Sequence, residues 1–252
     1  MAWEFIKLGS ADYLKYTGYS RPIPIDKNSL AKLCWSILLG LALLTACGSN
    51  PTPPPVAIST LPPTPVSAGV IVAMGDSLTE GLGVDPEEAY PAQLEQKLHA
   101  DGYNYTVINA GVSGETSSGA LARVDWVLTL KPDIVILATG GNDSLRAIDP
   151  ALTQANLEKL VERFQQAHVV VVLAGMQTVQ NLGESYTNAF RAIYPAVAAK
   201  YDLILIPFLL EGVAGDPKLN QDDFIHPTAA GYAIVVNTLY PYVLKALALI
   251  KH

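Results

Sequence analysis

The chain contains little cysteine, histidine or charge, and each shortage argues against a class of protein. Its 252 residues include only two cysteines and four histidines, and 15% are charged against 50% apolar. Such a composition can fill a sizeable core and is not that of a disordered polymer. The sequence has no His-Glu-x-x-His segment, cysteine cluster, P-loop or Gly-x-Gly-x-x-Gly turn. It therefore argues against a metal site, a metallohydrolase and a nucleotide cofactor.

Basic residues are also scarce, and they are unevenly distributed. Residues 1–46 hold five of the 16 Lys and Arg but only three of the 23 Asp and Glu. The remainder of the chain therefore has 11 basic and 20 acidic residues, a net charge of −9. A body this acidic is repelled by phosphate backbones. We therefore expect no nucleic-acid partner.

An apolar run of 14 residues, 33–46, follows Lys27 and Lys32. A membrane span needs roughly 20 such residues, so the run fits the core of a signal peptide better. It ends in Leu-Thr-Ala-Cys at 44–47, which resembles the lipobox of bacterial lipoproteins. The resemblance implies that Cys47 is lipidated and becomes the first residue of the mature protein. The alternative is an ordinary signal anchor with an incidental cysteine.

Residues 48–67 are rich in Pro, Ser and Thr without a helical or strand period, as in a semi-rigid tether. We divide the chain into an N-terminal extension with signal peptide (1–46), a lipidated Cys47 with its tether (47–67) and a folded domain (68–252). This organisation predicts an exported protein anchored to the cell envelope. We separately expect a monomer. Residues 1–26 carry no motif. If Cys34 leaves with the signal peptide, the mature domain has no thiol for a disulfide.

From residue 69 onward, short apolar runs alternate with helical patterns. Unbroken Val, Ile and Leu runs are buried on both faces, which indicates a parallel sheet with helices on each side. The sequence therefore predicts a three-layer α/β/α sandwich with a five-stranded parallel sheet, and an active site at the carboxyl ends of the strands. The predicted strands are 70–74, 105–109, 133–139, 168–174 and 203–206, and the predicted helices are 87–100, 117–130, 152–166, 186–200 and 228–249.

Four short polar segments fall at the ends of these elements. They are Gly-Asp-Ser at 75–77, Gly-Val-Ser-Gly at 111–114, Gly-Gly-Asn-Asp at 140–143 and Asp-Asp-Phe-Ile-His-Pro at 222–227. Each taken singly reads as an ordinary turn or cap. Together and in this order, they resemble the conserved blocks of the SGNH (GDSL) hydrolase family, from about residue 70 to 241. The flanking residues look closest to its bacterial periplasmic thioesterase, lysophospholipase and arylesterase branch, which has a flavodoxin-like fold.

The resemblance implies a nucleophilic Ser77 and a base at His226. A serine hydroxyl needs a base to take its proton, and histidine can accept and return one near neutral pH. His99, His168 and His252 fall in a helix, at a strand start and at the terminus, so His226 is the candidate from position as well. Asp222 and Asp223 both lie close enough to orient the imidazole, and the family pattern favours Asp223.

The family's oxyanion hole corresponds here to the backbone N–H groups of Ser77 and Gly114 and to the Asn142 side chain. Asp76 and Asp143 are expected to brace these turns rather than to react. Apolar residues after the third and fourth strands suggest an acyl-chain groove: Leu145, Ile148, Met176, Val179 and Leu182.

These residues predict a serine esterase or thioesterase acting on a small acyl ester, an acyl thioester or a lysophospholipid, without a cofactor. Two alternatives remain open. One is a carbohydrate O-acetylesterase with the same fold, and the other is a lipid-anchored binding protein that has lost the reaction.

Overall fold

A computed structural model describes residues 67–178 and 182–250, and in them strands alternate with helices as predicted. The strands are β1 (Gly69–Gly75), β2 (Tyr105–Gly111), β3 (Ile134–Ala138), β4 (Val170–Ala174) and β5 (Ile204–Ile206). The helices are α1 (Ser77–Glu80), α2 (Tyr90–Ala100), α3 (Ser117–Ala122), α4 (Val124–Thr129), α5 (Gly141–Leu145), α6 (Pro150–Gln166), α7 (Glu184–Tyr201) and α8 (Ala229–Leu247), and a 3-10 turn spans Pro86–Glu88.

The five strands form one parallel sheet in the order β2-β1-β3-β4-β5. The predicted α/β fold with a five-stranded parallel sheet is confirmed. The chain moves outward from β1 to β2 and then crosses back to β3, so the strand order reverses between β1 and β3. In open α/β sheets a crevice forms at this reversal, beyond the carboxyl ends of the strands. Residues that follow β1 and β3 are therefore placed side by side.

The core is built from the unbroken apolar runs of the central strands. Every side chain of β3 is fully buried, as are those from Ile71 to Met74 in β1. Both faces of the sheet are covered, because α2 and α8 pack together on one side while α6 packs between α3 and α7 on the other. Each fully buried Ile or Leu contributes about 1.5–3 kcal/mol. The core thus provides a rigid base for the loops at the carboxyl edge.

Helix α7 supports one of those loops through a row of aromatic side chains. The rings of Tyr186 and Phe190 stack with centroids 6.2 Å apart, and Phe190 meets Tyr194 edge-on at 5.9 Å. The buried Tyr194 hydroxyl donates a hydrogen bond of 2.9 Å to the carbonyl of Thr139, directly after β3. This contact holds the turn that leads into α5.

The structure corrects three details of the predicted elements. The helix expected over 117–130 is interrupted at Arg123 (φ −112°, ψ 10°), whose guanidinium contacts Glu115 and the Gly75 carbonyl. His168 adopts φ 62° and precedes β4 rather than opening it. Helices α1 and α5 were not predicted, since four or five residues are too few to display a period.

Several predictions concern residues outside the described ranges. These are the signal-peptide run, Cys47, nearly all of the tether, Val179 and His252. Within 67–178 and 182–250, no helix combines the length and the hydropathy that crossing a bilayer would require.

Candidate active site

Ser77 lies at the reversal of strand order, as the first residue of α1 after β1. Asp76 caps the helix, since its side chain accepts a hydrogen bond of 3.1 Å from the Leu78 N–H. The turn is tight: a Cβ added to Gly75 would lie 2.4 Å from the Ala138 carbonyl oxygen. Only glycine therefore allows β1 and β3 to approach this closely just before the serine.

The structure brings Ser77, His226 and Asp223 into one hydrogen-bonded chain. The Ser77 Oγ lies 2.8 Å from His226 Nε2, and His226 Nδ1 lies 2.6 Å from Asp223 Oδ2. An ionised carboxylate only accepts hydrogen bonds, so Nδ1 carries the hydrogen and donates to Asp223. Nε2 is then left to accept from the Ser77 hydroxyl. Of the two aspartates left open by spacing, Asp223 is the one that contacts the ring.

A closed loop between β5 and α8 holds the imidazole. The Gln221 N–H donates to the His226 carbonyl at 2.8 Å, and the Thr228 N–H donates to the Leu219 carbonyl at 2.8 Å. Inside this loop Phe224 adopts φ 58°, a left-handed conformation that is unfavourable for a bulky side chain. Backbone strain of this kind is concentrated at functional sites.

Asp223 is held in its charged form. Partial desolvation raises the pKa of Asp223. This is outweighed by hydrogen bonds from the His226 N–H, the His226 ring and the Ile225 N–H and by the His226 charge, which lower the pKa to about 2. The side chain is 44% exposed, so solvent weakens these interactions and we assign them no stability. The carboxylate is therefore ionised at neutral pH, as an acceptor for an imidazolium must be.

The candidate oxyanion donors face different environments. The Asp76 side chain accepts a hydrogen bond from the Leu78 N–H, and the Asp76 carbonyl accepts from the N–H groups of Thr79 and Glu80. The N–H of Ser77 is therefore the remaining donor in the first turn of α1. Asn142, the second residue of α5, donates to Asp76 Oδ2 at 3.2 Å.

Gly114 adopts φ 76°, and its carbonyl accepts a hydrogen bond of 2.8 Å from Arg146. It is not among the residues that line the cavity described below. Asn142 and Ser77 therefore line the same cavity, whereas Gly114 lies on a neighbouring turn.

Two buried aspartates brace these turns. Asp143, fully buried, accepts from the Ser117 N–H at 2.7 Å and from the Thr153 hydroxyl at 3.1 Å. Burial of Asp76 raises its pKa from 3.8 to about 6, outweighing the lowering by the Leu78 N–H, His226 and Asn142. The site thus contains a carboxylate whose charged form is disfavoured by the fold.

A cavity of about 290 Å³ opens beside the serine. Its walls come from the turns after β1, β3, β4 and β5 and from the histidine loop. The lining residues are Asp76, Ser77, Leu78, Gly141, Asn142, Ser144, Leu145, Met176, Gln177, Thr178, Phe208, Leu210, Ala214, Phe224, Ile225 and His226. Half of them are apolar, which suits an acyl chain.

The predicted groove residues that the structure describes fall into two groups, and their role in binding substrate stays a prediction. Leu145 and Met176 line the cavity, but Ile148 and Leu182 do not. The chain turns away after α5, where Ala147 adopts φ 51° and the Ile148 N–H bonds back to Asp143 at 2.9 Å. Leu182 lies two residues before α7.

Sequence reasoning missed the opposite wall, formed by Phe208, Leu210 and Ala214 after β5 and by Phe224 and Ile225 beside the histidine. The strand-end rule could have found the first three, because they follow β5 at the same edge of the sheet as the serine.

A serine hydroxyl bonded to an imidazole that is itself bonded to a carboxylate is the arrangement of serine hydrolases. The fold and the site thus define the protein as a hydrolase of this class. The model of the GDSL-like Lipase/Acylhydrolase family matches residues 73–234. The chain belongs to this family and is a serine hydrolase of ester bonds.

Individual relatives are similar over most of their length. The chain is 39% identical over 176 residues to Esterase TesA of Pseudomonas aeruginosa, covering 69% of this chain and 88% of that protein. It is 36% identical over 162 residues to Thioesterase 1/protease 1/lysophospholipase L1 of Escherichia coli K12, covering 64% and 76%. The crystal structure of AlinE4, an SGNH-hydrolase family esterase, shares 44% identity with a TM-score of 0.60 over 73% of this chain and 97% of that one.

The Asp76→Asn variant tests the charge balance of the site. Folding raises the pKa of Asp76, so the charged carboxylate destabilises the folded state. This cost in folding free energy is absent below about pH 4, grows between about pH 4 and pH 6, and is fully present above about pH 6. Relative to the parent, the variant should gain up to about 3 kcal/mol of stability between pH 4 and pH 8. Its turnover should fall, because the amide nitrogen that replaces Asp76 Oδ2 is a donor and cannot accept the hydrogen bond from the Asn142 amide.

Thermal melting at both pH values, with ester hydrolysis at pH 8, measures the two effects. Parent and variant melting temperatures that differ by the same amount at pH 4 and pH 8 would contradict the assignment.

Proposed function

We propose that the protein hydrolyses acyl esters and thioesters through an acyl-enzyme on Ser77. The observation that carries the proposal is the 2.8 Å contact between Ser77 Oγ and His226 Nε2 at the mouth of a half-apolar cavity. The names of the relatives, esterase and thioesterase/lysophospholipase, support the same substrate classes.

The proposed reaction has two steps. The Ser77 oxygen attacks the acyl carbonyl while its proton passes to His226 Nε2, and Asp223 stabilises the imidazolium. The Ser77 N–H and the Asn142 amide at the cavity, with the Gly114 N–H of the neighbouring turn that the family pattern adds, stabilise the oxyanion. The alcohol or thiol leaves with the proton from His226, and a water molecule, deprotonated by the same ring, then releases the carboxylic acid and restores the serine.

The cavity walls favour an acyl chain over a sugar. Leu145 and Met176 on one side and Phe208, Leu210 and Phe224 on the other offer apolar contacts to a substrate chain extending from the serine. Carbohydrate binding would instead require a dense set of hydrogen-bonding groups. The apolar lining is therefore the reason to place the acetylated-carbohydrate alternative second.

A substrate series tests this proposal. Because each buried CH₂ contributes about 0.8 kcal/mol, kcat/KM for p-nitrophenyl esters should rise up to about fourfold per CH₂ from acetyl until the cavity is filled. Acyl thioesters and lysophospholipids of the preferred length should be hydrolysed as well, and Ser77→Ala should abolish each activity.

A preference for acetyl esters, with release of acetate from acetylated xylan, would instead favour the carbohydrate esterase. Absence of any Ser77-dependent turnover would favour the binding protein.

We also propose that the domain is exported and held at the cell envelope by a lipid on Cys47. The support is the run 33–46 followed by Leu-Thr-Ala-Cys and then by the Pro-rich residues 48–67. A tether of this length would let the domain reach lipids and other esters near the membrane surface.

Detergent phase partitioning of the protein expressed in a bacterial host tests the anchor. The parent and the matched control Cys34→Ser should enter the detergent phase, and Cys47→Ser should remain in the aqueous phase. Equal partitioning of Cys47→Ser and the parent would refute lipidation at this residue.

A further inference from the structure

A partly buried ion pair lies beneath the active site and takes no part in the proposed acyl transfer. Glu115 accepts from Arg123 through both oxygens, with Nε–Oε1 and Nη2–Oε2 distances of 2.6 Å. The two side chains are only 7% and 17% exposed. Two-point contacts of this kind fix the relative orientation of both groups more tightly than a single hydrogen bond can.

The same guanidinium also reaches the strand that carries the nucleophile. Arg123 Nη2 lies 3.2 Å from the carbonyl oxygen of Gly75, two residues before Ser77. That carbonyl accepts a second hydrogen bond, of 2.9 Å, from the N–H of Val112. One carbonyl group is therefore held from two directions.

Arg123 thus links two separate turns. One is the nucleophile turn, residues 75–77, and the other is the Gly114 turn, residues 112–115, in which Glu115 is the immediate neighbour of Gly114. These turns supply the two backbone N–H groups of the proposed oxyanion hole. The distance between those donors depends on how the turns are held relative to each other.

The helix is interrupted at the residue that makes this contact. A continuous helix over 117–129 would be the regular solution, but the backbone leaves helical geometry at Arg123 and resumes as α4 at Val124. Burying an ion pair adds little net stability, because desolvation offsets the attraction. The location of the Arg123–Glu115 pair beneath the two donor turns therefore accounts for its presence better than a gain in stability does.

We propose that Arg123 and Glu115 are positioning residues, which hold the nucleophile turn and the Gly114 turn at the spacing that the oxyanion requires. This inference rests on the proposed acyl-enzyme reaction and its oxyanion donors. Neither residue touches substrate in it.

Because the oxyanion exists only after attack, a loosened hole lowers kcat and leaves ground-state binding in the cavity nearly unchanged. Displacement of a donor by about 1 Å can cost on the order of 100-fold. We expect kcat to fall about 10- to 100-fold in Arg123→Lys and in Glu115→Gln, with KM within about twofold of the parent. Lysine keeps the charge but cannot contact both Glu115 oxygens and the Gly75 carbonyl in the fork geometry of arginine.

The experiment measures kcat and KM of the full-length protein on its preferred p-nitrophenyl ester, with the melting temperature of each variant. Arg163→Lys is the matched control, since Arg163 pairs with Asp125 at the surface. Asn142→Ala calibrates the loss of one donor, and the Arg123→Lys/Glu115→Gln double variant should be no slower than the slower single variant.

The outcomes separate this inference from the function on which it rests. Reduced kcat at constant KM with non-additive single effects supports positioning. The positioning role is overturned if the parent is active and Arg123→Lys and Glu115→Gln keep kcat within twofold of it. It is also overturned if these variants lose activity through KM alone. If Arg123→Lys does not fold, the near-isosteric Glu115→Gln decides by the same criteria. A parent without Ser77-dependent turnover overturns the proposed function, and this inference with it.

Discussion

The hydrogen bond between Ser77 and His226 is the contact on which the rest of the site depends, and it joins residues 149 positions apart in sequence. It forms because β1 and β5 point the same way in one parallel sheet, so the turns that follow them meet at one edge. Buried strands make that edge rigid. The closed loop 219–228 then needs only to hold the His226 imidazole within hydrogen-bonding distance of Ser77.

Around this contact, the fold uses carboxylates in three different ways. Asp223 is partly exposed and stays ionised beside the imidazole, with its pKa lowered to about 2. Asp76 is buried with its pKa raised to about 6, and it holds both the cap of α1 and the Asn142 amide. Glu115 is neutralised by Arg123. The carboxylate beside the proton-transferring imidazole, Asp223, is thus accessible to solvent. The carboxylates that hold turns in place, Asp76 and Glu115, are instead shielded from it, which costs stability but fixes the geometry of the site.

The sequence alone was sufficient for the strands and the sheet type, because unbroken Val and Ile runs leave few alternatives, and the scarcity of histidines favoured His226. Ser77 was assigned as the nucleophile only through resemblance to a family. Asp223 could be separated from Asp222 only through resemblance to a family. The position of Ile148 outside the cavity lining could not be predicted, because a left-handed turn at Ala147 has no composition signal. The wall after β5 and the bridge from Arg123 to Gly75 were missed, since both depend on distances between segments that no local period encodes.

The most direct test of the central contact is covalent trapping of the nucleophile. An alkyl p-nitrophenyl phosphonate should modify the parent at one site, and mass spectrometry should place the adduct on the peptide containing Ser77. In His226→Gln the rate should fall by at least about 100-fold, because the base that activates the hydroxyl is gone. An adduct on another residue, or an unchanged rate in the variant, would contradict the account.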